Sequence, residues 1–254
     1  MKERGVIMKT IAFFNVKGGC GKTTSCINIS YILATKYEKK VLLIDLDPQA
    51  NSSDFFIDQD YDTSIEDVFV GRKSIKECIQ HTKYDRLDII PSTITLSRTE
   101  KAMVANTTEP QQLKLAAYLG DIETDYDYCI LDCSPSAETI TNINGLAAAN
   151  AVFVPLKADK WTIKGLQYTL SIIQTVKKYN YKLTFGGAFF VQKENRRVNK
   201  GSEEVVAEMI GKNYLLGFRK AKLPRNPVML QFQFCFMINA VISQKTMCLL
   251  WNTF

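Results

Sequence analysis

A single histidine, His81, is all that 254 residues provide. Zinc sites and histidine-based nucleophilic triads draw on that residue type, so both classes have almost nothing to work with. The seven cysteines (Cys20, Cys26, Cys78, Cys129, Cys133, Cys235 and Cys248) are an odd number, and no two stand in C-x-x-C spacing. This usage fits a reducing cytosol better than a disulfide framework or a metal knuckle. No long apolar run follows the first charged residues, so no signal peptide is expected, and Met8 begins a stretch that reads as a natural start. The longest apolar segment, Val228–Ile242, has 15 residues including two Gln and an Asn. A membrane span needs about 20 apolar residues, and an interfacial anchor needs a basic face that this segment lacks.

What is present is an ordinary globular composition, 46% hydrophobic, with a formal net charge of +6. Such a mild excess permits anionic partners without requiring them. Its placement is uneven: Lys193 to Arg225 holds nine Lys or Arg against four Glu. Short apolar runs at Thr10–Asn15, Lys40–Asp45, Leu87–Pro91, Tyr128–Asp132, Ala151–Leu156 and Leu183–Val191 read as strands. They are continuous rather than alternating, as parallel strands covered on both faces should be. Between them, helical patterns fall at Thr23–Tyr37, Ser64–Val70, Ser74–His81, Leu96–Ala105, Pro110–Leu119, Ala137–Ala149, Thr162–Tyr179 and Glu203–Lys212. The alternation predicts an α/β fold, a doubly wound, mostly parallel sheet with helices on both faces. No Gly/Ser/Pro tract and no repeat divides residues 1–226, which are expected to form one domain. The composition changes abruptly at Pro227: through Phe254 the only charged side chain is Lys245, which marks 227–254 as an atypical tail from an altered reading frame or a degenerate end.

Three motifs carry chemistry. Lys17-Gly18-Gly19-Cys20-Gly21-Lys22-Thr23-Thr24 follows the first strand and opens the first helix. Its glycines let successive amides turn toward phosphate oxygens, and the helix dipole favours the same anion. Lys22 supplies charge to the β- and γ-phosphates, and the Thr23 hydroxyl is placed for Mg²⁺. The strict G-x-x-x-x-G-K-[ST] pattern fails at Val16, and an extra lysine, Lys17, precedes the glycines. Second, the strand Val41–Ile44 runs into Asp45-Leu46-Asp47-Pro48-Gln49. Residues two apart on a strand share a face, so Asp45 and Asp47 can both address the phosphates. Third, Tyr128-Cys129-Ile130-Leu131 ends in Asp132, a carboxylate at the strand edge where open sheets bind ligands and metal.

With these three motifs in this order, the sequence resembles the ParA/MinD ATPases, whose deviant Walker A motif reads K-G-G-x-G-K-[ST]-[ST]. It is most similar to the short, Soj-like ParA partition proteins, from Met8 to about Asn226. Leu87–Ser92, Asp127–Ser136, Asn150–Leu156 and Leu223-Pro224-Arg225-Asn226 carry the resemblance further. It implies a P-loop NTPase that binds ATP and Mg²⁺ through Gly18, Gly19, Cys20, Gly21, Lys22, Thr23 and Thr24. It further implies that Lys17 reaches the partner's ATP across a nucleotide-sandwich homodimer, a role like an arginine finger. By the same resemblance Asp45 is an outer-shell magnesium group, Asp47 orients the attacking water, and Asp132 holds the metal through water. Pro224 and Asn226 fall where the family contacts adenine.

The implied setting is a cytoplasmic, nucleoid-associated switch in chromosome or plasmid partition, with non-specific DNA and a ParB-like centromere-binding protein as partners. Arg196, Arg197, Lys200, Arg219, Lys220 and Lys222 are the candidate phosphate contacts. The alternatives share the ATP site. A MinD-like membrane-cycling regulator needs a basic amphipathic C-terminal helix. An iron-sulfur reductase of the nitrogenase iron-protein type needs two cluster cysteines in motifs that do not surround Cys78 or Cys133. An ATP-binding remnant without turnover is suggested only by the tail.

Overall fold

The structure is a computed structural model and describes residues 7–58, 60–191, 197–211 and 214–215. Among the described residues eight strands form one sheet: β1 (Lys9–Phe13), β2 (Val41–Leu46), β3 (Gln80–His81), β4 (Leu87–Ile90), β5 (Tyr128–Cys133), β6 (Ala151–Lys157), β7 (Thr184–Val191) and β8 (Tyr214–Leu215). The spatial order is β3-β4-β2-β5-β1-β6-β7-β8, and every pairing is parallel except β3 with β4. The helices are α1 (Lys22–Thr35), α2 (Asn51–Phe56), α3 (Ile65–Phe69), α4 (Leu96–Ala105), α5 (Lys114–Leu119), α6 (Ile140–Ala148), α7 (Thr162–Val176) and α8 (Arg197–Ile210).

The apolar runs become strands because both sheet faces are covered. All six residues of β2 and of β5 are buried. Successive side chains go to opposite faces, as the pleat requires. Ile11 and Phe13 pack with Ile29 and Leu33 of α1, while Ala12 and Phe14 join the core shared with α3 to α7. From β1 the chain moves through α1 to β2 on one side, and later to β6 and β7 on the other. The loop after β1 thus sits where the winding reverses, the usual ligand crevice of open α/β sheets.

All six predicted strands form, and seven of the eight predicted helices do. Ser74–His81 does not form a helix. A single 3₁₀ turn, Lys76–Cys78, buries Cys78, and Gln80 and His81 then leave to pair antiparallel with Ile89 and Asp88. The edge of β4 offers those two residues backbone partners that a lone helical turn cannot match. The helix predicted from Pro110 starts only at Lys114, because the Asn144 side chain holds the Gln111 carbonyl and the Leu115 amide. Strands β3 and β8 and helix α2 were not anticipated.

Candidate functional site

The loop Lys17–Gly21 is pinned from both ends. At its entrance Asn15 is buried, donating Nδ2 to the Pro155 carbonyl at 2.7 Å and accepting the Lys17 amide at 2.9 Å. Thr169 of α7, whose hydroxyl donates to the Gly165 carbonyl at 2.8 Å, accepts the Val16 amide at 3.4 Å. At its exit Gly21 has φ +84°, and a Cβ there would lie 3.0 Å from Val191 at the end of β7. Only glycine fits both the left-handed backbone and the close approach. Gly21 caps α1, which has no side-chain cap and no acid in its first turn. That helix start therefore presents free amides and positive dipole to an anion.

Lys22 is buried, and its Nζ donates to the Lys17 carbonyl at 3.2 Å. The Cys20 thiol donates to the same carbonyl at 3.1 Å, and burial pushes the thiol pKa up. Lys17 leaves the loop in another direction, its ammonium paired with Asp159 in the turn between β6 and α7 of the same chain. Burial, and then the Lys157 ammonium, lower the Lys17 pKa.

Parallel pairing of β2 with β5 sets Asp45 directly beside Asp132. Both are buried, and both carboxyls have raised pKa values. Burial is the main cause for each, and for Asp45 the neighbouring Asp132 charge comes next. Their surroundings differ. Asp45 is satisfied from within: Oδ1 accepts the Asp47 amide at 3.0 Å, and Oδ2 accepts the Ser53 amide and hydroxyl at 3.0 and 2.8 Å. Asp132 spends Oδ2 on the Ser52 hydroxyl at 2.6 Å, while its Oδ1 is buried without a hydrogen-bond partner. Thr23 and Lys22 act on Asp132 to lower its pKa, so the P-loop side chains and this carboxylate share one pocket. Asp47, also buried, uses Oδ1 on the Gln49 amide.

Sequence reasoning missed the residues that hold these carboxylates. Ser52 and Ser53 lie on α2, a helix too short and polar to betray itself. Asn142 was missed as well. From α6 it accepts the Ser134 amide and donates to the carbonyls of Ser134 and Ser136, fixing the turn after Asp132. Pro224, Asn226, Arg219, Lys220, Lys222 and the tail 227–254 lie outside the described residues, as do Arg196 and the side chains of Arg197 and Lys200.

Comparison with known proteins adds a family to this geometry. A family described as "AAA domain" (AAA_31) matches residues 8–185. The chain is 36% identical over 202 residues to the chromosome-partitioning ATPase Soj of Treponema pallidum, covering 79% of this chain and 77% of that protein. The chain belongs to the ParA/MinD-type AAA domain family.

The fold of a plasmid partition protein from Borrelia burgdorferi superposes with a TM-score of 0.79 at 24% identity, covering 94% of this chain and all of that one. A Mycobacterium smegmatis cobyrinic acid a,c-diamide synthase, with ATP analog and magnesium bound, superposes at 0.77 and 25% identity, covering 94% and 96%. The family fold thus carries more than one chemistry, and the site rather than the fold decides function.

For Mg²⁺ the test is the donor set. Among the described residues no three carboxylate, thiol or imidazole groups converge to hold a cation by themselves. Magnesium keeps several waters and takes its remaining ligands from phosphates and one or two protein oxygens. A hydroxyl at Thr23 and one unpartnered buried oxygen at Asp132 suit that demand.

Proposed function

We propose that this ParA/MinD-type chain is an ATP-hydrolysing switch of chromosome or plasmid partition, active as an ATP-bound homodimer that engages non-specific DNA. The observation that carries the nucleotide part of the reading is the buried Asp132 carboxyl beside Lys22 and Thr23, its Oδ1 without a hydrogen-bond partner; the likeness to the Soj ATPase supports the partition part. A buried acceptor without a donor costs about 1–3 kcal/mol, a cost that a water-bound cation offsets.

In this reading the amides of Gly18 to Gly21 and the start of α1 bind the phosphates, with Lys22 turning from the Lys17 carbonyl to neutralise them. Thr23 and, through water, Asp132 would hold Mg²⁺, with Asp45 supporting it from the outer shell. Bound Mg²⁺ would supply neutralisation of the phosphate charge. Asp47, which spends Oδ1 on the Gln49 amide, orients the attacking water with its second oxygen. Lys17 leaves Asp159 and crosses to the partner's nucleotide, which makes hydrolysis conditional on dimerisation. Residues 1–226 act as one domain, Pro224 and Asn226 contact adenine, and a ParB-like protein stimulates turnover in a cytoplasmic, nucleoid-associated cycle.

The test is ATPase rate with and without non-specific DNA, for the parent and for Lys17→Ala. Turnover that rises with DNA in the parent and is lost in the variant, with nucleotide binding retained, is the expected result. A DNA-independent rate that ignores Lys17 defeats both the trans-dimer and the partition reading.

A further inference from the structure

From Lys160 to Lys182 the chain carries five lysines (Lys160, Lys164, Lys177, Lys178 and Lys182) and no Asp or Glu. This span is α7 with its two flanking turns. Trp161, Lys164, Tyr168, Ser171, Thr175 and Lys178 follow one another at intervals of three and four, so they form one stripe along the helix, and all are exposed. Beyond the helix, Tyr181 is 82% exposed, with the Lys182 ammonium 5.7 Å from its ring centre. At the other end the Lys160 and Lys164 ammoniums lie 5.2 and 5.9 Å from the ring of Trp161, itself 54% exposed. Among the described residues none of the five lysines has an ion-pair partner. The two carboxylates that border the stripe are engaged, Glu138 by the Tyr168 hydroxyl and Asp159 by Lys17.

A solvated basic helix accounts for only part of this. Cations at a helix C-terminus complement its dipole, which explains Lys177 and Lys178. The same rule disfavours Lys160 and Lys164 at the N-terminus, where α7 has no acid in its first turn. It also gives no reason for large aromatic rings left in water at both ends. Local preferences broken in this way mark a surface kept for a ligand.

We infer that the exposed stripe of α7, from Lys160 to Lys182, is a docking surface for the sugar-phosphate backbone of duplex DNA. This rests on the partition reading and gives it a contact surface distinct from Lys193–Arg225. The helix is about 22 Å long, the axial length of about six base pairs. Lysines at both ends meet phosphates, and the uncharged polar and aromatic residues between them lie against sugars without a carboxylate to repel the chain.

The test is anisotropy of a short random-sequence duplex with ATP and Mg²⁺, across a series of salt concentrations. The parent is compared with Lys164→Glu/Lys178→Glu/Lys182→Glu. A control, Lys73→Glu/Lys76→Glu, changes two lysines already paired with Glu77 and Asp125 toward the β3 edge. The triple variant is expected to bind at least about tenfold more weakly and to lose about 3 from the slope of log K against log salt, at about 0.9 per phosphate contact. The control should stay near the parent, and basal ATPase should be unchanged in all three. Weakening by the control in proportion to its two reversed charges, about two thirds of the triple variant's effect, would reduce the effect to net charge and overturn the inference. So would a triple variant that binds as the parent does, or one that loses only binding to anionic phospholipid vesicles. If the parent itself fails to bind the duplex, the DNA element of the proposed function falls first.

Discussion

The Lys17 ammonium rests on Asp159 of its own chain, and Asp159 also starts α7 by accepting the Trp161 amide at 2.9 Å. The loop lysine, the helix start and the end of β6 are therefore one mechanical unit. For Lys17 to serve a partner's nucleotide, this pair must open. Asp159→Asn keeps an oxygen for the Trp161 amide and removes the charge. Both side chains are about a quarter to a third exposed, so the pair contributes at most about 1 kcal/mol to stability. Urea unfolding should shift by less than that, while basal ATP turnover rises about two- to fivefold. Unchanged turnover would mean that the pair does not restrain Lys17.

Much of the site was legible in the sequence because its chemistry sits at the ends of strands. Val41–Ile44 and Tyr128–Leu131 are buried on both faces, so the carboxylates that end them stand out against continuous apolar runs. What holds those carboxylates was not legible. Asn51-Ser52-Ser53 has the composition of a turn, and α2 forms because Asp45 and Asp132 draw Ser53 and Ser52 inward. The two residues of β3 are likewise fixed by the edge of β4 and by His81 Nδ1 lying 2.7 Å from Asp88 Oδ1. Such elements depend on tertiary partners, and local pattern carries no trace of them. The direction of Lys17 was also hidden, since Asp159 lies 142 residues further along.

Asn142 bridges α6 to the turn after Asp132 through three bonds to its backbone. Asn142→Ala leaves the buried Ser134 amide without its acceptor. The expected cost is about 2–3 kcal/mol in urea unfolding, with weaker Mg²⁺-dependent turnover because Asp132 loses the support behind it. Full activity with full stability would show that the turn is held from elsewhere.

The carboxyl pair makes the nucleotide-free protein sensitive to pH. Asp45 is raised from 3.8 toward about 8, and Asp132 is raised as well, so between about pH 4 and pH 8 the native state holds protons that the unfolded chain has lost. Stability from these groups therefore falls as pH rises through that window. Asp45→Asn should flatten this dependence, read as the difference in Tm between pH 5 and pH 8. Its amide NH₂ must face the Asp47 or Ser53 donors, so the absolute Tm drops at both pH values and only the slope is diagnostic. A variant with the parent's slope would remove Asp45 as the source.

Gly145 sets how closely α6 approaches the strand ends. A Cβ there would lie 2.8 Å from Leu46 Cδ1 and 3.5 Å from Cys133 Sγ, and those two residues directly follow Asp45 and Asp132. Leu46 is fully buried, so turning its side chain aside presses on packed neighbours. Gly145→Ala should therefore destabilise the fold by about 1–3 kcal/mol, since overpacking moves backbone when side chains cannot yield. The helix propensity gained from alanine, about 1 kcal/mol, works against this and sets the lower bound. Trimming the obstacle separates the two effects. Leu46→Val shortens the clashing side chain, so the double variant should be more stable than the sum of the single changes predicts, by about 0.5–1.5 kcal/mol in a double-mutant cycle. Additive single changes would place the strain elsewhere than the Gly145–Leu46 contact.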